Sequence, residues 1–296
     1  MKRILLALIL ILPLGFHVSA KGKDKAQAAY NRGDYETALT LWKKTIARYE
    51  KRNKAAQCTV YAKAGETALK LGKTDEARQL LEKAIYSASV TPAAFVALAK
   101  IYRQMDNLSL EITTLEKYVK KYPDGKEIVP MRERLFDTYI ESENWQDAVN
   151  LWERLPENYR STAVNKAKLL KADIALDHTS AADKLAAEVL AAQPENLTAL
   201  DYEGKKYFWR AENRYQAEMK AYARNKTRSQ YAHLLKAFRV VTVDFKKSLG
   251  FFRKLYALQP SSENARYLGN IYARLDNAPK AKYYQHLAGR LKKEGK

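Results

Sequence analysis

The chain has 296 residues, of which 47% are hydrophobic and 29% charged, with a formal net charge of +20. That composition supplies enough apolar side chain for a packed core and excludes a disordered chain. The single cysteine, Cys58, excludes a scaffold stapled by disulfides, so burial has to hold the fold together and the thiol reads as a small buried hydrophobe.

At the N-terminus, Lys2 and Arg3 precede an apolar run from Ile4 to Leu12, followed by Pro13, Gly15 and the small residues Ser19 and Ala20. A charged start, a short apolar stretch and small residues at a cut are what translocation and signal peptidase require, so residues 1–20 are expected to be a secretory signal cleaved after Ala20. The competing reading is an uncleaved anchor, since Lys21, Lys23 and Lys25 follow the run. Spanning a bilayer takes about 20 apolar residues, and His17 and Ser19 interrupt this stretch. The expected location is therefore periplasmic or secreted.

From residue 21 onward the chain is punctuated by Pro92, Pro123, Pro156, Pro194 and Pro260, at intervals of 31, 33, 38 and 66 residues, the last taken as two units. Between them Ala, Leu, Lys, Glu and Arg dominate, with apolar residues three and four apart, which predicts amphipathic helices and no strands. Turn-forming residues lie between the prolines, at Gly33, Gly72, Asp106, Glu143, Asp177, Asn213, Val243 and Asp276. Each is expected to end one helix and start the next, giving about eight helix hairpins.

Five residues after those turns stand Ala38, Ala77, Glu111, Ala148, Ala182, Glu218, Ser248 and Ala281. Six of the eight are small, as helix axes about 8–10 Å apart require at their crossing. Four residues further come Trp42, Leu81, Leu115, Trp152, Tyr222 and Phe252, while Ala186 and Gln285 break the column. The spacing resembles the tetratricopeptide (TPR) family, most clearly in Tyr61, Ala64, Gly65, Ala68, Gly72, Ala77, Leu81 and Ala84, and again in Leu268, Gly269, Tyr272, Ala281 and Ala288. Lys206 and Lys236 depart from it, standing where the family places a small first-helix residue.

The resemblance implies an all-α, TPR-like α-solenoid over 21–296, a right-handed superhelix whose concave face is built from first helices. It also implies a scaffold that binds a protein or peptide there. Mapped onto this sequence, that face selects Lys100, Arg103, Lys171, Glu203, Tyr207, Arg210, His233, Arg266, Asn270 and Arg274.

The charge is uneven. From Ala199 to Lys296 there are 22 Lys and Arg against 8 Asp and Glu, a net of +14, whereas residues 1–198 carry 31 against 25, a net of +6. This basic C-terminal third, with Lys246, Lys247 and Lys254, reads as a solvated face or as a surface for an acidic protein, an anionic lipid or an envelope polysaccharide; export argues against nucleic acid. No phosphate-binding loop, nucleophile elbow or His-Glu-x-x-His site occurs, and His178, His233 and His286 fall in separate units. No catalytic residue, metal or cofactor is expected. Glycan hydrolysis by carboxylate pairs such as Glu133 with Asp137 is the remaining enzymatic reading, without positive support.

Overall fold

The computed structural model describes residues 20–295, with side chains from residue 25. Of the expected signal segment 1–20, residues 1–19, with the charged start and apolar run, lie outside the described residues. Among these residues the fold is all-α, and no helix is long and apolar enough to cross a membrane.

The chain divides into two compact units at Met131 and Arg132. The first contains α1 (Ala20–Asn31), α2 (Tyr35–Lys51), α3 (Tyr61–Lys70), α4 (Thr74–Ala84), α5 (Pro92–Gln104) and α6 (Leu108–Lys121). Consecutive helices pack antiparallel as hairpins, α2 packs on α3 and α4 on α5, and the first helices α3 and α5 also touch. One apolar core runs from Ala26 and Trp42 through Cys58, Tyr61 and Leu81 to Leu98 and Tyr102.

The second unit begins within α7 (Ile128–Glu141) and continues with α8 (Trp145–Trp152), a one-turn α9 (Glu157–Arg160), α10 (Ala163–Ala175), α11 (Thr179–Ala192), α12 (Leu197–Arg224), α13 (Arg228–Leu258), α14 (Ser262–Arg274) and α15 (Ala278–Lys293). Leu170, Ala182, Ala186 and Ala199 join α10, α11 and α12, while Phe208, Phe245, Phe252, Tyr267 and Ile271 join α12, α13 and α14.

Six of the expected turns are present and share one construction. Gly33, Gly72, Asp106, Glu143, Asp177 and Asp276 all adopt positive φ, between 54° and 82°. In each turn the next N–H reaches back five residues: Asp34 to the Ala29 carbonyl, Lys73 to Ala68, Asn107 to Tyr102, Asn144 to Tyr139, His178 to Asp173 and Asn277 to Tyr272, at 2.8–3.0 Å. This closes the outgoing helix on its own orphan carbonyls. In three of them that same residue caps the following helix, with Asp34, Asn107 and Asn277 accepting from Thr37, Leu110 and Lys280 N–H.

The turns expected at Asn213 and Val243 are absent. Helix α12 runs 28 residues through Asn213 and α13 runs 31 through Val243, so the two units expected there are a single long hairpin. Inside α12, Gln216 donates to Glu212 one turn back, and Tyr215 stacks on Phe238 of α13 at 5.3 Å, which holds the segment helical. The real reversal is Asn225–Thr227, where Asn225 ends α12 and the Thr227 hydroxyl accepts from Gln230 N–H to start α13. The described residues therefore hold seven hairpins rather than eight.

The crossings explain the small residues. A Cβ on Gly65 would lie 2.7 Å from Leu81 Cγ, one on Gly269 2.9 Å from Gln285, and one on Gly204 3.0 Å from the Phe252 ring. In the long hairpin Ser248 Oγ also donates to the Gly204 carbonyl at 2.8 Å. The close-approach residue of α12 is thus Gly204 and not Lys206. Glu111 is fully buried at its crossing position, whereas Glu218 lies beyond the crossing, on the extension of α12.

Two stability changes follow. Gly65→Val drives a branched side chain into Leu81 and is expected to destabilise unit 1 by about 1–3 kcal/mol. Glu143→Gly removes a side chain from a left-handed backbone position and is expected to stabilise by about 1 kcal/mol. Urea unfolding followed by circular dichroism measures both.

Candidate functional site: grooves between first helices

Neighbouring first helices leave an open groove in each unit. In the second unit it lies between α12 and α14, with a volume of about 590 Å³. Its floor is Phe208 and Tyr267, both buried, with ring centroids 5.0 Å apart in an edge-to-face arrangement. Trp209 forms one wall, 51% exposed despite resting edge-on against Phe208. A half-exposed indole on an apolar floor leaves unsatisfied contact area.

The polar side of this groove has a committed part and an uncommitted part. Arg274 grips Glu212 in a two-pronged pair at 2.6 and 2.8 Å and lies over the Tyr215 ring at 4.2 Å. This pairing holds the Glu212 carboxyl below the usual carboxylate range, and it locks α12 to α14. Arg266 and Asn270, one helical turn apart on α14, are exposed and make no hydrogen bond or ion pair among the described residues.

In the first unit the groove lies between α3 and α5, with a volume of about 870 Å³, and its lining includes Glu66, Leu69, Val96, Lys100 and Gln104. Glu66 has no hydrogen bond or ion pair, and burial pushes its carboxyl above the usual range against the pull of Lys63 and Lys70. Lys100 stands exposed on the facing helix.

Both grooves obey one rule. On the α5 and α14 walls, counting from the crossing residue, the groove takes the first-helix positions three before, one after and five after it. In α5, where Ala99 is that residue, these are Val96, Lys100 and Gln104, and in α14, from Gly269, they are Arg266, Asn270 and Arg274. From Gly204 the same positions in α12 are Asp201, Lys205 and Trp209, of which Trp209 lines the groove. Lys205 pairs with Asp201 at 2.9 Å and Glu263 at 3.1 Å, bonds that raise its pKa against burial.

The sequence-predicted residues separate accordingly. Lys100, Arg266, Asn270 and Arg274 line grooves. Arg103 and Lys171 are exposed on α5 and α10 without lining either one. Glu203 points inward, buried and paired with Lys206. Tyr207 stacks on Phe251 of α13, and Arg210 binds Asp244 of α13 through two nitrogens at 2.5 and 2.8 Å, so both serve the hairpin interface. His233 is on α13, a second helix, bonded to Glu218 at 3.0 Å. Lys246, Lys247 and Lys254 are exposed on α13. Trp209 and Glu212 were missed because Asn213 set the ruler two residues late, and a two-residue shift turns a helix by more than half a circle; Gly204, the glycine of α12, carries the correct register.

The carboxylate pair Glu133 and Asp137 is structural in character. Asp137 accepts from the Tyr159 hydroxyl at 2.7 Å and from Lys168 at 2.6 Å, tying α7 to α9 and α10. Burial, then the Asp137 charge, raises the Glu133 pKa.

Stacked helix hairpins with a groove between first helices define a helical repeat architecture. Residues 63–126 match the tetratricopeptide repeat family. Among solved structures, the C-terminal part of a TPR repeat-containing protein from Cytophaga hutchinsonii is 17% identical, covering 90% of this chain and 94% of that one at a TM-score of 0.45. YrrB, described as a TPR protein with an unusual peptide-binding site, is 15% identical over 61% of this chain and 89% of its own, TM-score 0.42. PilW, described as a type IV pilus biogenesis factor, is 12% identical over 77% and 90%, TM-score 0.42. Likeness of this degree carries no function across. No curated protein matches the chain.

Because the Glu66 pKa is raised in the fold, its contribution to stability is fully present below the unfolded carboxylate pKa and is lost as pH rises through the folded value. Glu66→Gln is therefore expected to raise the thermal midpoint at pH 7–8, with the gain vanishing on acidification below pH ~4. Calorimetry across that range measures it.

Proposed function

We propose that this chain is a non-enzymatic scaffold that binds a protein partner through its first-helix grooves, chiefly the groove between α12 and α14. The observation that carries this reading is Trp209, half-exposed over an apolar floor and facing Arg266 and Asn270, whose hydrogen-bonding groups are uncommitted. An indole supplies contact area at low entropic cost, a guanidinium requires an acceptor, and a carboxamide reads one backbone donor and acceptor. The chemistry suits an extended peptide with an apolar side chain next to a carboxylate. The tetratricopeptide match over 63–126 supports the same class of role for the first unit, where Glu66 and Lys100 offer both signs of charge.

The proposal places the protein outside the cytoplasm, periplasmic or secreted, on the strength of the Lys2-Arg3 start, the Ile4–Leu12 run and the small residues at Ala20. N-terminal sequencing of the protein recovered from its native host would read Lys21 if that assignment holds and Met1 or Lys2 if it fails.

The groove is tested by selecting peptides from a displayed random library against the protein and measuring their affinity for variants by calorimetry. Trp209→Ala and Asn270→Ala are each expected to weaken selected peptides, the tryptophan change by at least about tenfold, as removal of a central aromatic anchor does. Peptides that bind both variants as tightly as the unaltered protein would remove the groove from the binding role.

A further inference from the structure

Helix α13 holds one carboxylate, Asp244, which is buried and gripped by Arg210 of α12. Apart from His233, its other charged residues are seven cations, Arg228, Lys236, Arg239, Lys246, Lys247, Arg253 and Lys254. All seven are exposed, and none enters an ion pair among the described residues. On the facing helices α12 and α14, by contrast, Lys205, Lys206, Arg210 and Arg274 each hold a carboxylate.

The placement of these cations is regular. The side of α13 turned to its neighbours carries Leu234, Ala237, Val241, Phe245, Ser248 and Phe252, three or four apart. Half a turn round, at the same spacing, the outer side runs Arg228, Ala232, Leu235, Arg239, Val243, Lys246, Gly250 and Arg253, flanked by Lys236, Lys247 and Lys254. From Arg228 to Lys254 it extends about 39 Å and covers roughly a third of the helix circumference. Between the cations, Leu235, Val240 and Val243 are 47%, 42% and 51% exposed.

We propose that this outer face of α13 docks on the surface of an anionic lipid bilayer. A straight, wide stripe of unpaired cations without a carboxylate is complementary to a flat negative surface, where each Lys or Arg adds to the attraction. The aliphatic residues decide between polyanions. A sulfated or carboxylated glycan chain takes up the cations but gives Leu235, Val240 and Val243 nothing apolar, whereas the headgroup boundary accepts both kinds of side chain, as it does for basic amphipathic helices. Long lysine and arginine stems reach past the aliphatic side chains to the phosphates. This surface is separate from the peptide groove and needs no partner protein.

The test is co-sedimentation of the full chain with vesicles of phosphatidylcholine alone and of equal parts phosphatidylcholine and phosphatidylglycerol, alongside binding to soluble dextran sulfate. The protein should bind the phosphatidylglycerol vesicles, ignore the neutral ones and release as salt is raised. Lys236→Glu with Arg239→Glu and Lys246→Glu should weaken vesicle binding more than about tenfold. Leu235→Ser with Val243→Ser, which leaves the charge unchanged, should weaken vesicle binding severalfold and leave dextran sulfate binding untouched. The N-terminal apolar run is common to every variant, and exposed positions leave the helical melting curve unchanged, so a loss reports on the face itself. Vesicle binding that charge reversal does not alter would overturn the proposal. So would binding that the aliphatic changes leave intact and that dextran sulfate matches, which would assign the face to a polyanionic glycan. Trp209→Ala should retain vesicle binding, so failure of the groove reading and failure of this one are told apart.

Discussion

Everything in this chain depends on how closely two antiparallel helices approach at one point of each hairpin. At Gly65 and Gly269 the missing side chain lets a residue of the second helix rest almost against the backbone of the first, and an added Cβ would meet it at under 3 Å. Burial of Leu81 against Gly65, and of Phe252 against Gly204 in the long hairpin, supplies apolar contact that neither helix could make alone. The approach also sets helix rotation, because only one face can present a hole of that size. Once rotation is set, the positions three before, one after and five after the crossing residue in α5 and α14 look into the groove between first helices.

The turn follows from this constraint more than it causes it. In the hairpins of Gly65 and Gly269 the left-handed residue, Gly72 or Asp276, stands seven residues after the crossing glycine, and the backbone bond reaching five residues closes the helix there. In the long hairpin the crossing between Gly204 and Ser248 with Phe252 persists while the reversal has moved out to Asn225–Thr227. Pairing of Tyr215 with Phe238 and of Tyr222 with Tyr231 carries the two helices outward together. A tetratricopeptide-like contact can therefore be kept while the arms beyond it lengthen.

How far the sequence could be read is set by the same physics. Turn residues that end helices through positive φ are a short list of types, so Gly33, Gly72, Asp106, Asp177 and Asp276 were legible as punctuation, and even Glu143 was placed by spacing. Asn213 belongs to the same list but stands in a run of Ala, Gln, Glu and Lys that forms helix readily, and packing against α13 decides the matter. Using Asn213 as the ruler made Lys206 the crossing residue in place of Gly204. That error carried directly into the site: Glu203, Tyr207 and Arg210 were selected where α12 presents Trp209 and Glu212, while Arg266, Asn270 and Arg274, indexed from a true turn, fall on the groove. His233 was taken for a first-helix residue because a turn was expected at Val243, through which α13 runs unbroken.

The charge asymmetry was visible as a number, and the fold converts it into a direction. Of the carboxylates after residue 199, Asp201 and Glu263 are held by Lys205, Glu203 by Lys206, Glu212 by Arg274, Glu218 by His233 and Asp244 by Arg210. Four of these pairs, Lys205 with Glu263, Arg274 with Glu212, His233 with Glu218 and Arg210 with Asp244, link α12 to α13 or α14, so most acidic side chains here hold helices in register. The excess of lysine and arginine stays exposed, and seven of these cations stand on α13 without an ion pair among the described residues. Exposed pairs contribute little to stability, but pairs shared between helices and partly shielded, such as Arg274 with Glu212, fix geometry as well as energy. The basic character of this end is thus a consequence of which charges the hairpin interfaces consume and which they leave outside.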